Sequence, residues 1–124
     1  MIIGMGTDII EVERIEKAVT NTALFLNKIY TTKEQNHYQE NHKKIETLAG
    51  LFAAKEAVSK ALGTGFRGFS PKDIEIVPNK LGKPEVYLYN GAQVRANEIG
   101  IHKVHISISH CKAYATACAI AEGK

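Results

Sequence analysis

The sequence predicts an α+β fold: a small single domain, 1–124, in which a mainly antiparallel sheet packs on a long central helix. Three observations carry that expectation. Strand-like and helix-like stretches are mixed but lack the regular alternation of a doubly wound sheet. Two pairs of strand-like segments lie close enough in sequence to form hairpins, 74–77 with 86–89 and 104–109 with 114–121. One segment, 46–62, carries the strongest helical pattern in the chain. A chain of 124 residues, 44% hydrophobic, with no repeat or linker, fits one such unit. At that size roughly two-thirds of the unfolded surface is buried on folding, enough for a core without staples.

The opening Met1-Ile2-Ile3-Gly4-Met5-Gly6-Thr7-Asp8-Ile9-Ile10 reads as a strand. Alternation puts Gly4, Gly6 and Asp8 on one face, and Ile3, Met5, Thr7 and Ile9 on the other. Glycine weakens a strand, so the pattern marks either a bulge or the close approach of a backbone or ligand. Residues 11–28 read as one helix, with Val12, Ile15, Val19 and Phe25 near helical spacing. Thr31 and Glu34 stand at capping-box spacing and open a polar helix that holds His37 and Tyr38. The charged run 39–46 is a loop or a helix end, its Asn41-His42-Lys43-Lys44 a solvated surface.

The central helix stops at Gly63, a suitable residue just past a helix end. Leu51, Ala54, Val58, Ala61 and Leu62 form its apolar stripe; Phe52, Glu56, Ser59, Lys60 and Gly63 lie on the neighbouring face. A glycine-rich loop, 63–68, follows, and then Ser70-Pro71-Lys72-Asp73 as a turn or a short capped helix. The first hairpin turns through 78–84, a loop longer than two residues. A short helix fills 91–100. In the last hairpin Val104, Ile106 and Ile108 face one way, and His105, Ser107 and Ser109 the other. The returning strand has alanine at alternate positions, which suits a crowded core or a subunit contact equally.

Composition excludes several functions. There is no apolar run of membrane-spanning length and no secretory signal, so no membrane role is expected and a cytoplasmic location is. The two cysteines, Cys111 and Cys118, make neither a disulfide framework nor a zinc spacing, which suits a reducing compartment. Sixteen Lys and Arg against 13 Asp and Glu give a net charge of +3. With no basic stripe, that balance argues against nucleic acid and suits phosphorylated small molecules or an acidic protein partner.

Four places could carry chemistry. Glu56 and Lys60 are one helical turn apart; they form either an exposed ion pair worth a few tenths of a kcal/mol or, among the flanking alanines and Phe52, part of a closely packed site. Asp8 either caps the following helix or joins Glu56 in holding Mg²⁺, which takes one or two carboxylates beside phosphate oxygens and water. His105 is either a solvated strand histidine or a ligand contact with room made by Ser107 and Ser109. The Gly63-Thr64-Gly65 amides suit phosphate, though a helix end explains Gly63 fully. His110 reads as merely close to a turn.

Together these segments resemble the holo-[acyl-carrier-protein] synthases. Gly4-Met5-Gly6-Thr7-Asp8-Ile9-Ile10-Glu11-Val12-Glu13-Arg14-Ile15 is similar to their N-terminal motif. Phe52-Ala53-Ala54-Lys55-Glu56-Ala57-Val58-Ser59-Lys60-Ala61-Leu62-Gly63-Thr64-Gly65 is similar to the central one, and Val104-His105-Ile106-Ser107-Ile108-Ser109-His110 to the C-terminal one. The resemblance implies a Mg²⁺-dependent 4′-phosphopantetheinyl transferase of fatty acid biosynthesis. It would move the phosphopantetheine arm of coenzyme A onto a serine of apo acyl carrier protein. It would be a homotrimer with active sites shared between subunits. Asp8 and Glu56 would be metal ligands and, with Lys60, catalytic. Lys60, Ser59, Gly63 and Thr64 would contact coenzyme A, and His105 would join them from the adjoining subunit. The carrier protein would dock on the helix near Arg14, with Phe25 and Lys28 as further contacts. One departure is Leu51, where many members carry an arginine that contacts phosphate; Lys43, Lys44 or Lys55 would substitute. The competing expectations are a Mg²⁺-dependent phosphodiesterase or nuclease using Asp8, Glu56 and Lys60, and a basic module for nucleotide or RNA. The second needs exposed aromatics, for which only Tyr87 and Tyr89 qualify.

Overall fold

The first and last strands of the chain lie side by side. In the computed structural model, which describes all 124 residues, the order is β1 (Ile2–Glu11), α1 (Val12–Asn21), α2 (Phe25–Ile29), α3 (Thr32–Glu40), α4 (Ile45–Ala61), a 3₁₀ turn at Pro71–Asp73, β2 (Ile74–Pro78), β3 (Pro84–Leu88), α5 (Asn90–Glu98), β4 (Ile101–His110) and β5 (Tyr114–Gly123). Three strands form one sheet in the order β1-β5-β4, and β2 and β3 form a separate pair. Every pairing is antiparallel. Both expected hairpins are present, and the fold is the α+β arrangement the sequence predicts.

Side-chain size decides how α4 lies on the sheet. Across the inner face the registers align Gly4, Ala121 and Val104, then Gly6, Ala119 and Ile106, then Asp8, Ala117 and Ile108. Volume therefore rises from glycine on β1, through alanine on β5, to branched residues on β4. The four alanines Ala115, Ala117, Ala119 and Ala121 are buried, so the alternation on β5 belongs to the core rather than to a subunit contact. The helix settles deepest over β1. A Cβ on Gly6 would stand 2.1 Å from the Ala57 carbonyl oxygen, and one on Gly4 would stand 2.2 Å from that of Ala61. The glycines thus mark a close backbone approach, with the irregularity confined to the register shift between Ile2 and Gly4.

The single helix expected over 11–28 is two. Thr22 is extended, with φ −126° and ψ 105°, and ends α1; Phe25 opens α2. In one continuous helix Phe25 would point about 120° away from Val19. The break resets the phase, and the Phe25 ring meets the buried Tyr30 edge-on at 6.0 Å. The capping box of Thr31 and Glu34 forms as expected, and Ser70 and Asp73 make a second one. Helix α3 reaches Glu40, and only a short turn separates it from α4, with His42 and Lys43 at φ 60° and 52°. Tyr89 lies beyond β3, and both it and Tyr87 are exposed.

Candidate active site

The deep seating of α4 over β1 brings Glu56 within electrostatic reach of Asp8. Asp8 sits on the inner face of β1 beside Ala117. Lys60, one turn after Glu56, reaches across the seam instead of pairing along its own helix. Its Nζ donates to the Thr7 carbonyl oxygen at 2.9 Å and lies 3.5 Å from Asp8 Oδ1. The surface pair Glu56–Lys60 is therefore replaced by a contact between elements. The capping alternative for Asp8 also fails: Glu11 occupies the cap position of α1, and no side chain caps it.

Glu56 has its carboxyl pushed up from the ordinary range, first by burial and then by the negative charge of Asp8, with Lys60 opposing. Two carboxylates crowd here against one lysine whose side chain is half-exposed. A divalent cation would relieve that crowding. No group of three or more His, Cys, Asp or Glu side chains is gathered anywhere in the chain. A two-carboxylate oxygen site fits Mg²⁺, which completes its shell from water and substrate phosphate, and does not fit zinc.

The loop after α4 folds back on the helix end. Gly63 has φ +83°. Its N–H donates to the Lys60 carbonyl and that of Gly65 to the Ser59 carbonyl, so these two amides are not free to cradle phosphate as the sequence suggested. Ser59 is buried, and its hydroxyl donates to the Glu56 carbonyl at 2.7 Å. The Thr64 hydroxyl donates to the Gly65 carbonyl. All three candidates line the helix end beside Lys60.

His105 is elsewhere. It opposes Ile120, which opposes Met5, so it stands on the outer face of the sheet while Asp8 stands on the inner one. Its Nε2 is 3.0 Å from Glu122 Oε1, and that hydrogen bond and charge hold the Glu122 carboxyl below its usual range. Within one chain His105 and Asp8 do not meet. The same outer face exposes Met5, close to His105, and Ile9 and Tyr114 toward its far end.

Arg14 and Lys28 are exposed on α1 and α2, whereas Phe25 is half-buried and Leu24 is the exposed apolar residue there. Lys55 cannot replace an arginine at the surface: it is buried and ion-paired with Glu34 at 2.7 Å. Lys43 and Lys44 are exposed. The two best-formed hollows of the chain include none of Asp8, Glu56 and Lys60. The larger, about 610 Å³, lies between β3 and β4. The smaller, about 280 Å³, lies between α3, α4 and the β2–β3 hairpin, where His37, Leu51, Pro78, Pro84 and His110 line it. Sequence reasoning missed His37 and His110 as partners, because nothing local ties a polar helix to a strand end.

Comparison with known proteins follows the same lines. Residues 4–119 match the family model described as the 4′-phosphopantetheinyl transferase superfamily. A holo-[acyl-carrier-protein] synthase of Clostridium perfringens is 52% identical over 100% of this chain and 96% of that protein. An acyl carrier protein synthase of Plasmodium yoelii with ADP bound superimposes with a TM-score of 0.90 at 39% identity, covering 100% of this chain and 97% of the other. A holo-(acyl-carrier-protein) synthase of Bacillus anthracis in complex with CoA (3′,5′-ADP) gives 0.82 at 39% identity, covering 100% and 99%.

Proposed function

Because the chain belongs to the holo-[acyl-carrier-protein] synthases of the 4′-phosphopantetheinyl transferase superfamily, we propose that it transfers 4′-phosphopantetheine from coenzyme A to a serine of apo acyl carrier protein, in a Mg²⁺-dependent step that serves fatty acid biosynthesis. The observation that carries the site assignment is the contact across the seam, with Lys60 bridging from α4 to Thr7 and Asp8 on β1 and Glu56 beside them.

In the transfer, the serine oxygen forms a bond to the β-phosphorus of coenzyme A and gives up its proton to the Glu56 carboxylate or to water. The pyrophosphate P–O bond breaks, and adenosine 3′,5′-bisphosphate leaves with the electron pair. Such a reaction depends mainly on positioning and charge neutralisation. Asp8 and Glu56 would hold Mg²⁺, which when bound supplies positive charge to the pyrophosphate and the departing phosphate. Lys60 is half-exposed, bonded to the Thr7 carbonyl and 3.5 Å from Asp8, so its remaining proton can turn to phosphate oxygens as they enter. Ser59, Gly63 and Thr64 would line the nucleotide side, and Arg14, Phe25 and Lys28 would receive the carrier protein.

The same proposal includes a homotrimer with shared sites. Its support is the outer sheet face, where exposed Met5 and Ile9 lie with His105; a neighbour covering that face would receive His105. The smaller hollow would supply part of the coenzyme A site across the contact, since Leu51, the position of the family's usual arginine, lines it.

The test is direct. The protein is mixed with coenzyme A, Mg²⁺ and an apo carrier protein, and the carrier is weighed by mass spectrometry. A phosphopantetheine-sized gain that vanishes with chelator is expected. Asp8→Ala and Glu56→Ala should each cut kcat/KM by roughly 1000-fold or more at unchanged fold. Parental rates from either variant would refute the site.

A further inference from the structure

The chain buries an ion pair that phosphoryl transfer does not use. Lys55 and Glu34 are both almost fully buried, with Nζ 2.7 Å from Oε1. The ammonium also donates to the Pro71 and Ile74 carbonyls, which uses all three of its protons. On the other side Glu34 Oε1 accepts from the Thr31 amide and Oε2 from the Ile76 amide, each at 2.8 Å. Burial raises the Glu34 carboxyl and lowers the Lys55 ammonium, so the desolvation cost is real. A pair of this kind is weak evidence of stabilisation; what it does here is tie α3, α4 and the strand after Asp73 together through hydrogen bonds.

Its place in the fold says what those bonds hold. Each partner belongs to an element that walls the 280 Å³ hollow. Glu34 stands one turn before the lining residue His37 on α3, and Lys55 one turn after the lining residue Leu51 on α4. Glu34 bonds directly to Ile76, itself a lining residue at the base of the β2–β3 hairpin. The hairpin then carries Pro78, Gly82 and Pro84 over the hollow. The pair thus clamps three walls at their closed end.

We propose that Glu34 and Lys55 are positioning residues that fix the β2–β3 hairpin against α3 and α4, and thereby set the width of the small hollow and the affinity for coenzyme A. The affinity half rests on the proposed function above; the hairpin half does not. The pair touches no reacting atom, so it acts on binding and leaves the chemical step alone.

The experiment compares the parent with Glu34→Gln, with Lys55→Arg, and with Ile15→Val, a core change in α1 away from the hollow. Melting temperature, steady-state kinetics with coenzyme A, and amide hydrogen exchange over 74–86 are measured on each. Glu34→Gln should raise KM for coenzyme A about tenfold while kcat stays within about twofold, and should quicken exchange at the hairpin amides. Lys55→Arg, which keeps the charge and so serves if Glu34→Gln does not fold, should change both readouts in the same direction. Ile15→Val should lower the melting temperature without moving KM or hairpin exchange. Hairpin exchange and KM matching the Ile15→Val control would overturn the proposal. A parent that modifies no carrier protein would instead overturn the proposed function, and hairpin exchange would still decide the clamp.

Discussion

Gly6 contributes no side chain, and the close seam between β1 and α4 depends on that. An added methyl would stand 2.1 Å from the Ala57 carbonyl oxygen and 2.8 Å from Lys60 Cβ, and since the first is backbone, the helix itself has to move. Gly6→Ala should therefore destabilise by about 3 kcal/mol, read as a lowered melting temperature, and should lower activity further by lifting Glu56 and Lys60 away from Asp8. A melting temperature equal to the parent's would contradict the contact. Lys60 is the opposite kind of residue. Its ion pair is half-exposed and worth little to the fold, so Lys60→Ala should melt like the parent while kcat falls roughly 100-fold. Loss of stability with kcat intact would return Lys60 to a structural role. At this scale the sequence was informative where a pattern exists: alternation put Gly4, Gly6 and Asp8 on one face, and helical spacing put Glu56 beside Lys60. It was silent on the Thr7 carbonyl, because every residue has one. It misled on Lys55, because nothing local tells that a lysine will find the carboxylate of Glu34 inside the core.

Helix α4 is tied by side chains to two other parts of the chain, through Lys55 to the segment before β2 and through Lys60 to β1. Lys55→Met would leave Glu34 buried without a counter-charge, a loss of about 3–5 kcal/mol. The pH dependence of that loss follows from the shift. The Glu34 carboxyl is already raised by burial in the parent, with Lys55 the main opposing influence; removing Lys55 raises it further. A carboxyl with a raised folded pKa favours folding at low pH and disfavours it as pH climbs through that value. Parent and Lys55→Met should thus differ less in melting temperature at pH 5 than at pH 8; an equal gap would refute the uncompensated charge. In the proposed function, α1 and α2 would carry the docking surface for the carrier protein. Arg14 projects from α1 near an exposed Glu13–Lys17 pair at 3.1 Å, which cancels its own charge. Arg14→Glu should slow carrier association more at low than at high ionic strength, as stopped-flow traces at two salt levels would reveal. The break between α1 and α2 was hidden from helical periodicity because Phe25 is apolar like the residues before it, and only its phase is wrong.

For the whole molecule, local pairing was legible and distant pairing was not. Both hairpins follow from neighbouring strand segments with a turn between them. The union of β1 with β5, sealed by the Met1 ammonium donating to the Gly123 carbonyl, joins the ends of the chain, and no local signal announces it. The outer sheet face was visible as alternation, yet its apolar exposure at Met5 and Ile9 needed the strand order. If copies of the chain cover this face, Ile9→Glu should reduce the assembly mass in light scattering and abolish transfer, although Asp8, Glu56 and Lys60 remain in place. A full-sized, active assembly would count against that contact.

The seam of β1 and α4 is built from main-chain oxygen meeting bare glycine, so the spacing between the two carboxylate-bearing backbones is a fixed gauge. Repacking side chains cannot widen it by a few tenths of an ångström. With Mg²⁺ held between Asp8 and Glu56 as proposed, a cation with longer bonds, such as Ca²⁺ at about 2.3–2.6 Å against about 2.0–2.1 Å, would have to be accommodated by rotation of those two side chains alone.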